Sequence, residues 1–415
     1  VKDVFKMKHI NKLVGNMAVG GNRYSTSGYK DCQSQLYTDR AIGFAFAENG
    51  NIPDTTQIEG HLDRHHIKTK GRNDAEMVGL TLAQEIREKS DLPSAVSQSY
   101  ELFTGAFSCV AMHDETVVGF RDPMGLRPLE LGILEDGGYV LASETCGLDI
   151  INAKHERSVE PGEMVVLTKD GVISEQLAEP DPKLDIFEFV YFSRPDSVLY
   201  GLRVNEVRRA FGRTLALEHP GLAENKNALV VPVPDTSIPT AEGFAEALGL
   251  THRQAIVKNR YIGRTFIQPN QKERKQQVRF KHTVIPEAVE GRDLYIIDDS
   301  IVRLNTLPRL IKLAKSAGAK SVSVLIGSPP VRFPDFYGID TPSQTELAAA
   351  NMTVEQMRRK MKAKYLGFLS LEGMVAATGL DQSLFNLSPF NGVYPIDIGK
   401  RKKEIKTPIS MEYST

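Results

Sequence analysis

Two adjacent carboxylates, Asp298 and Asp299, follow the apolar run Leu294 to Ile297 in the segment LYIIDDS. Such a run reads as a buried strand of a parallel sheet. Ligands of open α/β sheets bind beyond the C-terminal ends of the strands. Two anions side by side at such an end repel, unless a cation or a pair of sugar hydroxyls offsets them. Ser300, Ile301, Val302, Arg303 and Thr306 form the following loop, ahead of a helical segment whose N-terminus can receive a phosphate. Alone, the acidic pair fits an Asp-rich turn capping a helix equally well.

Two further segments bear on that choice. VVPVPDTSIPTAEGFAEA runs from an apolar strand through Asp235, Thr236 and Ser237 into a helix, and could present hydroxyls and backbone N–H groups to a diphosphate. Helix capping is the commoner role for such residues. Between Lys258 and Lys281, the cations Lys258, Arg260, Arg264, Arg274, Lys275, Arg279 and Lys281 alternate with Tyr261 and Phe266. Nucleic-acid binding, a lid over a phosphorylated small molecule and a solvated loop all fit that pattern. The net charge of -1 favours the lid over nucleic acid.

These residues need elements to hold them. From LYIIDDS the pattern runs to TLPRLIKLAKSAGAK, a helix, and SVSVLIGSPP, a strand. This strand–helix alternation implies βαβ units on a parallel sheet. To about Thr168 the pattern differs. MAVGGNRYSTSG, IGFAFAENGN, FSCVAMHD, TVVGFRDPMG and YVLASET read as short strands broken by turn residues. NDAEMVGLTLAQEIREKS has helical periodicity behind an Asn-Asp cap. Two sheets with covering helices follow. TKDGVISEQLAEPDPKLD reads as the polar connection between domains, and KRKKEIKTPISMEYST as a solvated basic tail.

At 415 residues, with 41% hydrophobic and 25% charged, the chain has the size and composition of a two- or three-domain globular protein. Three cysteines, Cys32, Cys109 and Cys146, make neither a disulfide scaffold nor a four-thiolate cluster. No apolar run approaches the roughly 18 residues of a membrane span, and the charged start lacks a signal-peptide core. A reducing, cytoplasmic setting is expected.

Taken together, the segments resemble the glutamine phosphoribosylpyrophosphate (PRPP) amidotransferase family. NRYSTSG, ENGN, FRDPMGLRPL and ASETCGLD carry the resemblance in the first part. FEFVYFSRPDSVLYG, VPVPDTS, VKNRYIGRTFIQP, IIDDSIVR and YGIDTPS carry it in the second. The resemblance implies an N-terminal-nucleophile αββα glutaminase sandwich, incomplete here, over 1–175. A type I phosphoribosyltransferase parallel α/β sheet would follow over 176–395, then a polar tail over 396–415. The implied reaction makes 5-phosphoribosylamine from PRPP and glutamine-derived or free ammonia, the first step of de novo purine biosynthesis. Alternatives are an impaired relative that binds nucleotide or partners an active subunit, and a salvage phosphoribosyltransferase, against which the long first domain argues.

By the same resemblance, Arg23 holds the glutamine carboxylate, flanked by Tyr24 and Thr26, and Asp74 receives the ammonium. Asn49 and Gly50 form the oxyanion hole. Ser237, Asp298 and Asp299 hold Mg²⁺ and PRPP, with Ser300 beside them, and Thr306 grips the 5-phosphate. Lys258, Arg260 and Tyr261 belong to the lid. Purine nucleotides as inhibitors and a homo-oligomer, dimer or tetramer, are implied, with no nucleic acid and no membrane. The family's nucleophile is the first residue of the mature chain, a Cys, for which no cysteine here matches; glutaminase activity is expected to be absent from the sequence as it stands. The positions matching the family's iron–sulfur ligands are Asp185, Asp335, Asn386 and Pro389, so no cluster is expected. Where the family reads Gly-Thr-Thr-Ser after DDSIVR, Leu304, Asn305, Thr306 and Leu307 stand. Leu304 is expected to put a side chain where backbone approaches phosphate, in a φ > 0 position costing roughly 1–3 kcal/mol.

Overall fold

The computed structural model describes residues 12, 15–21, 36–69, 73–88, 90–259, 282–338 and 343–409. In the first domain β1 (Leu36–Asp39), β2 (Phe44–Asn51), β3 (Ala106–His113), β4 (Thr116–Arg121), β8 (Glu163–Thr168) and β9 (Gly171–Gln176) form one antiparallel sheet, in the order β1-β2-β3-β4-β8-β9. A second sheet has the order β6-β5-β7, from β5 (Glu130–Ile133), β6 (Tyr139–Ala142) and β7 (Lys154–Ser158). Side-chain alternation explains the layers. Phe44, Phe46, Phe107, Cys109 and Phe120 face α1 (Thr56–Arg64), α2 (Asp74–Arg87) and α3 (Leu92–Ser99). Val165 and Leu167 face Leu129, Leu131 and Val159 between the sheets. The short α4 (Thr145–Asp149) covers the smaller sheet. The layers are helix, sheet, sheet, helix. The Asn-Asp start of α2 is as expected: Asn73 is the N-cap, and its side chain accepts from Ala75 N at 3.1 Å.

Two readings of the connecting segments are corrected. The first half of TKDGVISEQLAEPDPKLD is strand: β9 pairs with β8 through Gln176, leaving only Leu177–Lys183 as the link to β10 (Leu184–Asp185). Val172, packed against Val165, Leu167 and their neighbours between the sheets, and the Gly171 turn outweigh the polar composition of a strand whose Ile173 to Gln176 are exposed. The tail is not wholly solvated. Ile398 is buried, Lys406 N donates to Gln344 Oε1 at 2.6 Å, and Ile409 N donates to Ala350 O at 3.1 Å. MAVGG has no strand; NRYSTSG lies outside the described residues.

The second domain opens with the hairpin β11 (Val198–Leu199) and β12 (Leu202–Arg203) and with α5 (Val204–Glu218). Its parallel sheet has the order β14-β13-β17-β18-β19. The strands are β13 (Leu229–Pro232), β14 (Thr251–His252), β17 (Asp293–Asp298), β18 (Ser321–Ile326) and β19 (Leu366–Phe368). Both faces are covered. Val230, Tyr295 and Ile297 pack towards α5 and α6 (Ile238–Leu248); Leu229, Val231, Leu294 and Ile296 pack towards α7 (Leu307–Ser316). That two-sided burial is why these strands read as continuous apolar runs.

Candidate active site

In β13 and β17, Pro232 and Ile297 are register partners, so the two strands end level. The loop Val233–Ser237 and the pair Asp298–Asp299 therefore leave the same sheet edge side by side. Both carboxyls are partly buried. Burial, then the neighbouring Asp299 charge, holds the Asp298 carboxyl well above the usual carboxylate range. Burial likewise pushes Asp299 up to about 6, although the Ser300 hydroxyl and the Arg208 charge act the other way. Ser300 Oγ donates to Asp299 Oδ1 at 2.8 Å. A site that resists ionisation this way is completed by a cation or by hydroxyl donors.

Past the pair, the chain turns through Arg303, Leu304 and Asn305 into α7. Thr306, the N-cap, is exposed and its side chain makes no capping hydrogen bond, which leaves its hydroxyl open; Pro308 has no N–H, and Arg309 N and Leu310 N donate to Thr306 O, each at 3.1 Å. Leu304 has φ of +55°, the left-handed backbone expected for it. Its side chain does not project from the loop, however: it is buried with Ile301, Leu307 and Val231. Apolar burial offsets the backbone cost.

Ser237 is fully buried, and its hydroxyl is directed at the carbonyls of Val233 and Ile297, the latter at 3.0 Å. As placed, it fixes the loop to β17 and does not point at an ion. β15 (Ile256–Lys258) and β16 (His282–Val284) form an antiparallel ribbon at the base of the basic segment. Lys258 Nζ lies 3.1 Å from Asp235 Oδ2. Arg260 and Tyr261 lie outside the described residues, as do Arg23, Tyr24 and Thr26 of the first domain.

Of the first-domain residues, Asn49 and Gly50 close the end of β2, opposite Ser108 and Phe107 of β3. Asp74 begins α2 beside them, accepting from Ile52 N at 3.1 Å and Ala75 N at 3.0 Å. Glu48 was missed by sequence reasoning. It is buried, neither oxygen has a hydrogen-bond partner, and burial followed by the Asp74 charge keeps it well above the usual range. Its inward alternation with Phe44 and Phe46 was the available signal. Cys109, its register partner, and Cys146 are buried, and burial raises both thiols, the opposite of an activated nucleophile. Cys32 lies outside the described residues.

Arg208, also missed, is buried in α5, donating to Phe189 O at 2.7 Å and Ser193 O at 2.8 Å. Burial lowers it to about 10, against the charges of Asp299, Glu144 and Glu188. Its spacing with Val204, Val207, Phe211 and Leu215 marks the inner face of the helix.

The four positions matched to cluster ligands do converge. Asp185 pairs with Asn386 across β10 and β20 (Phe385–Asn386), the Asp335 charge acts on Asp185, and Pro389 O accepts from Arg332 N and Phe333 N. Arg127 Nη2 sits 3.7 Å from Asp185 Oδ2. Carboxylates, an amide and a guanidinium do not fit an iron–sulfur cluster.

A family model described as a glutamine amidotransferase domain matches residues 27–149. Over 405 residues the chain is 42% identical to the amidophosphoribosyltransferase of Synechocystis sp., covering 96% of this chain and 81% of that protein. Over 409 residues it is 37% identical to the amidophosphoribosyltransferase of Bacillus subtilis, covering 96% and 84%. The chain belongs to the amidophosphoribosyltransferase family. Among solved structures, glutamine PRPP amidotransferase from B. subtilis, complexed with ADP and GMP, superposes with a TM-score of 0.85 at 37% identity, covering 96% of this chain and 87% of that one. A structure described as the allosteric regulatory enzyme of purine biosynthesis gives 0.80 at 36% identity, covering 90% and 80%. The two-domain architecture, a glutaminase-type sandwich before a phosphoribosyltransferase sheet, is that of the family. Among the described residues no helix is long and apolar enough to cross a membrane.

Proposed function

We propose that this member of the amidophosphoribosyltransferase family forms 5-phosphoribosylamine at the edge where β13 and β17 end. The observation that carries the assignment is the convergence there of the acidic pair, the Val233–Ser237 loop and the exposed Thr306 hydroxyl at the start of α7. The Thr306 hydroxyl, at the positive end of α7, takes the 5-phosphate. Asp298 and Asp299 accept from the ribose hydroxyls, and the loop N–H groups with Lys258 face the diphosphate. Ammonia attacks C1; its lone pair forms the C–N bond as the C1–O bond breaks and pyrophosphate leaves.

Mg²⁺ fits this donor set. Among the described residues no group of three or more His, Cys, Asp or Glu could hold a metal, and two carboxylates suit an ion that arrives with substrate phosphates. Asp298 and Asp299 would hold it, and it would supply charge neutralisation for the departing diphosphate. Ser237 could join them only by giving up its bonds to the carbonyls.

In the first domain, Asn49 and Gly50 serve as oxyanion donors and Asp74 as the ammonium receptor for glutamine, with Arg23, Tyr24 and Thr26 at its carboxylate. Arg260 and Tyr261 are assigned to PRPP with Lys258, on the resemblance of VKNRYIGRTFIQP to the family. Purine nucleotides bind and regulate, as the ADP and GMP of the B. subtilis relative suggest. A homo-oligomer in the cytoplasm is the expected state. Pyrophosphate release from PRPP, Mg²⁺ and an ammonium salt tests the assignment. Ammonium-dependent release is expected; none above the rate without protein would refute it.

A further inference from the structure

The end of β2 that bears Asn49 and Gly50 is not completed by the first domain alone. Asn51 Nδ2 donates to Phe336 O at 2.7 Å. The next carbonyl, Tyr337 O, accepts from Arg127 Nε at 3.2 Å. One residue further, Gly338 has φ of +111°, and a Cβ there would lie 3.0 Å from Gly50 C and 3.1 Å from Gly50 Cα. On its other side, a Cβ on Gly50 would lie 2.0 Å from Ala106 O. Gly50 is thus packed between β3 and the second-domain backbone Phe336–Gly338, with no room for a side chain at either glycine.

That second-domain segment is itself fixed. Tyr337 is fully buried; its hydroxyl donates to Ile396 O at 2.5 Å, and its N–H donates to Asp335 Oδ1 at 2.8 Å. Arg127 is the cation that joins it to the first domain. Nη1 donates to Glu188 Oε1 at 2.7 Å, and Glu188 Oε2 accepts from Ser193 Oγ at 2.6 Å. Arg127 O accepts from Ser108 Oγ at 2.8 Å, and Ser108 is the register partner of Asn49. Arg127, Glu188, Ser108 and Ser193 are all buried. The Arg127 guanidinium therefore touches the second domain and the interdomain junction, while its backbone carbonyl holds the strand beside the oxyanion residues.

We propose that Arg127 is a positioning residue for glutamine. With Asn51, it holds Phe336–Gly338 against β2 and so sets where Asn49 and Gly50 aim. The role rests on reading Asn49 and Gly50 as oxyanion donors. Oxyanion geometry tolerates little displacement, because the donors must meet the developing charge at hydrogen-bond distance.

Calorimetric glutamine titration and hydrogen exchange, on the full chain and on Arg127→Met, Arg127→Lys and Asn51→Ala, test it. Arg127→Met and Asn51→Ala should each weaken glutamine by about tenfold and speed exchange over Glu48–Ile52. Exchange in β17 and the affinity for PRPP should stay at parent values. Arg127→Lys, which keeps a donor and the charge, should fall between. Unchanged glutamine affinity, or exchange that rises equally in β17, overturns the proposal, the latter because it marks general loosening. A parent that binds PRPP but no glutamine removes the oxyanion reading instead; exchange over Glu48–Ile52 unchanged by Arg127→Met would then overturn the positioning role by itself.

Discussion

Lys258 Nζ stands 3.1 Å from Asp235 Oδ2, tying the base of the basic segment to the loop that leaves β13. Both side chains are largely exposed, so the pair itself contributes little to stability, about 0–1 kcal/mol. On the proposed function, the pair holds a cation at the diphosphate side of the site. Lys258→Met should therefore leave the unfolding temperature within about 2 °C of the parent while weakening PRPP by about 5- to 30-fold. A melt and a PRPP titration check it; equal affinity would place Lys258 outside the site.

Asp299 gives a pH signature. Its carboxyl holds a proton more tightly in the folded chain, up to about 6 against an ordinary 3.8. The folded state thus binds more protons than the unfolded one between those values, and stability falls as pH rises through that window. Asp299→Asn removes that loss. Without ligand, the variant should melt above the parent at pH 7.5, and the gap should close by about pH 4. Asp122 and Asp185, also raised by burial, are common to both proteins and cancel. A gap that is the same at both pH values, or a parent that is the more stable at pH 7.5, contradicts the account.

Leu304 trades backbone strain for burial. Removing a buried Leu side chain costs about 2–5 kcal/mol, and relief of a left-handed residue returns about 1–2 kcal/mol. Leu304→Gly should thus lower stability by about 0–4 kcal/mol in denaturant melts, centred on about 2 kcal/mol, from those two magnitudes. PRPP affinity should change by less than about threefold, since the side chain is buried. A tenfold gain in affinity would mean that it does obstruct the phosphate.

Cys109 and Cys146 should be inert. Burial disfavours their thiolates, so the folded chain should alkylate with iodoacetamide far more slowly at both positions than the urea-unfolded chain. Rapid labelling of either at pH 7.5, read by mass spectrometry of peptides, would contradict their placement.

The second-domain sheet was legible because both faces of β13 and β17 are covered, which leaves Val230, Val231, Tyr295 and Ile296 no polar neighbours to alternate with. The acidic pair was legible for the same reason, as an abrupt change at the end of such a run. Arg208 was not. It stands next to Arg209 in sequence, and composition treats the two alike; only its helical spacing with Val204, Val207, Phe211 and Leu215 separates the buried Arg208 from Arg209, which pairs with Glu246 at the surface. β9 was hidden by composition, since it is an edge strand and its exposed residues Ser174 and Glu175 resemble a linker. Docking of the tail depends on Gln344 and Ala350, far away in the chain, and no local pattern reports it. The inward turn of Leu304 was also out of reach. Sequence gave its chemistry and its unusual backbone, but the direction of the side chain is decided by Ile301, Leu307 and Val231 packing around it.

On the proposed function, Asp298 and Asp299 form a PRPP site that is completed by a cation. Calorimetric titration of PRPP with and without Mg²⁺, on the parent and on Asp298→Asn and Asp299→Asn, tests it most directly. The account predicts binding to the parent that depends on Mg²⁺ and is weakened at least about tenfold in each variant, because binding and ion capture are joint. Variants that bind PRPP as tightly as the parent, with the same response to Mg²⁺, would make the pair a helix-capping turn and contradict the account.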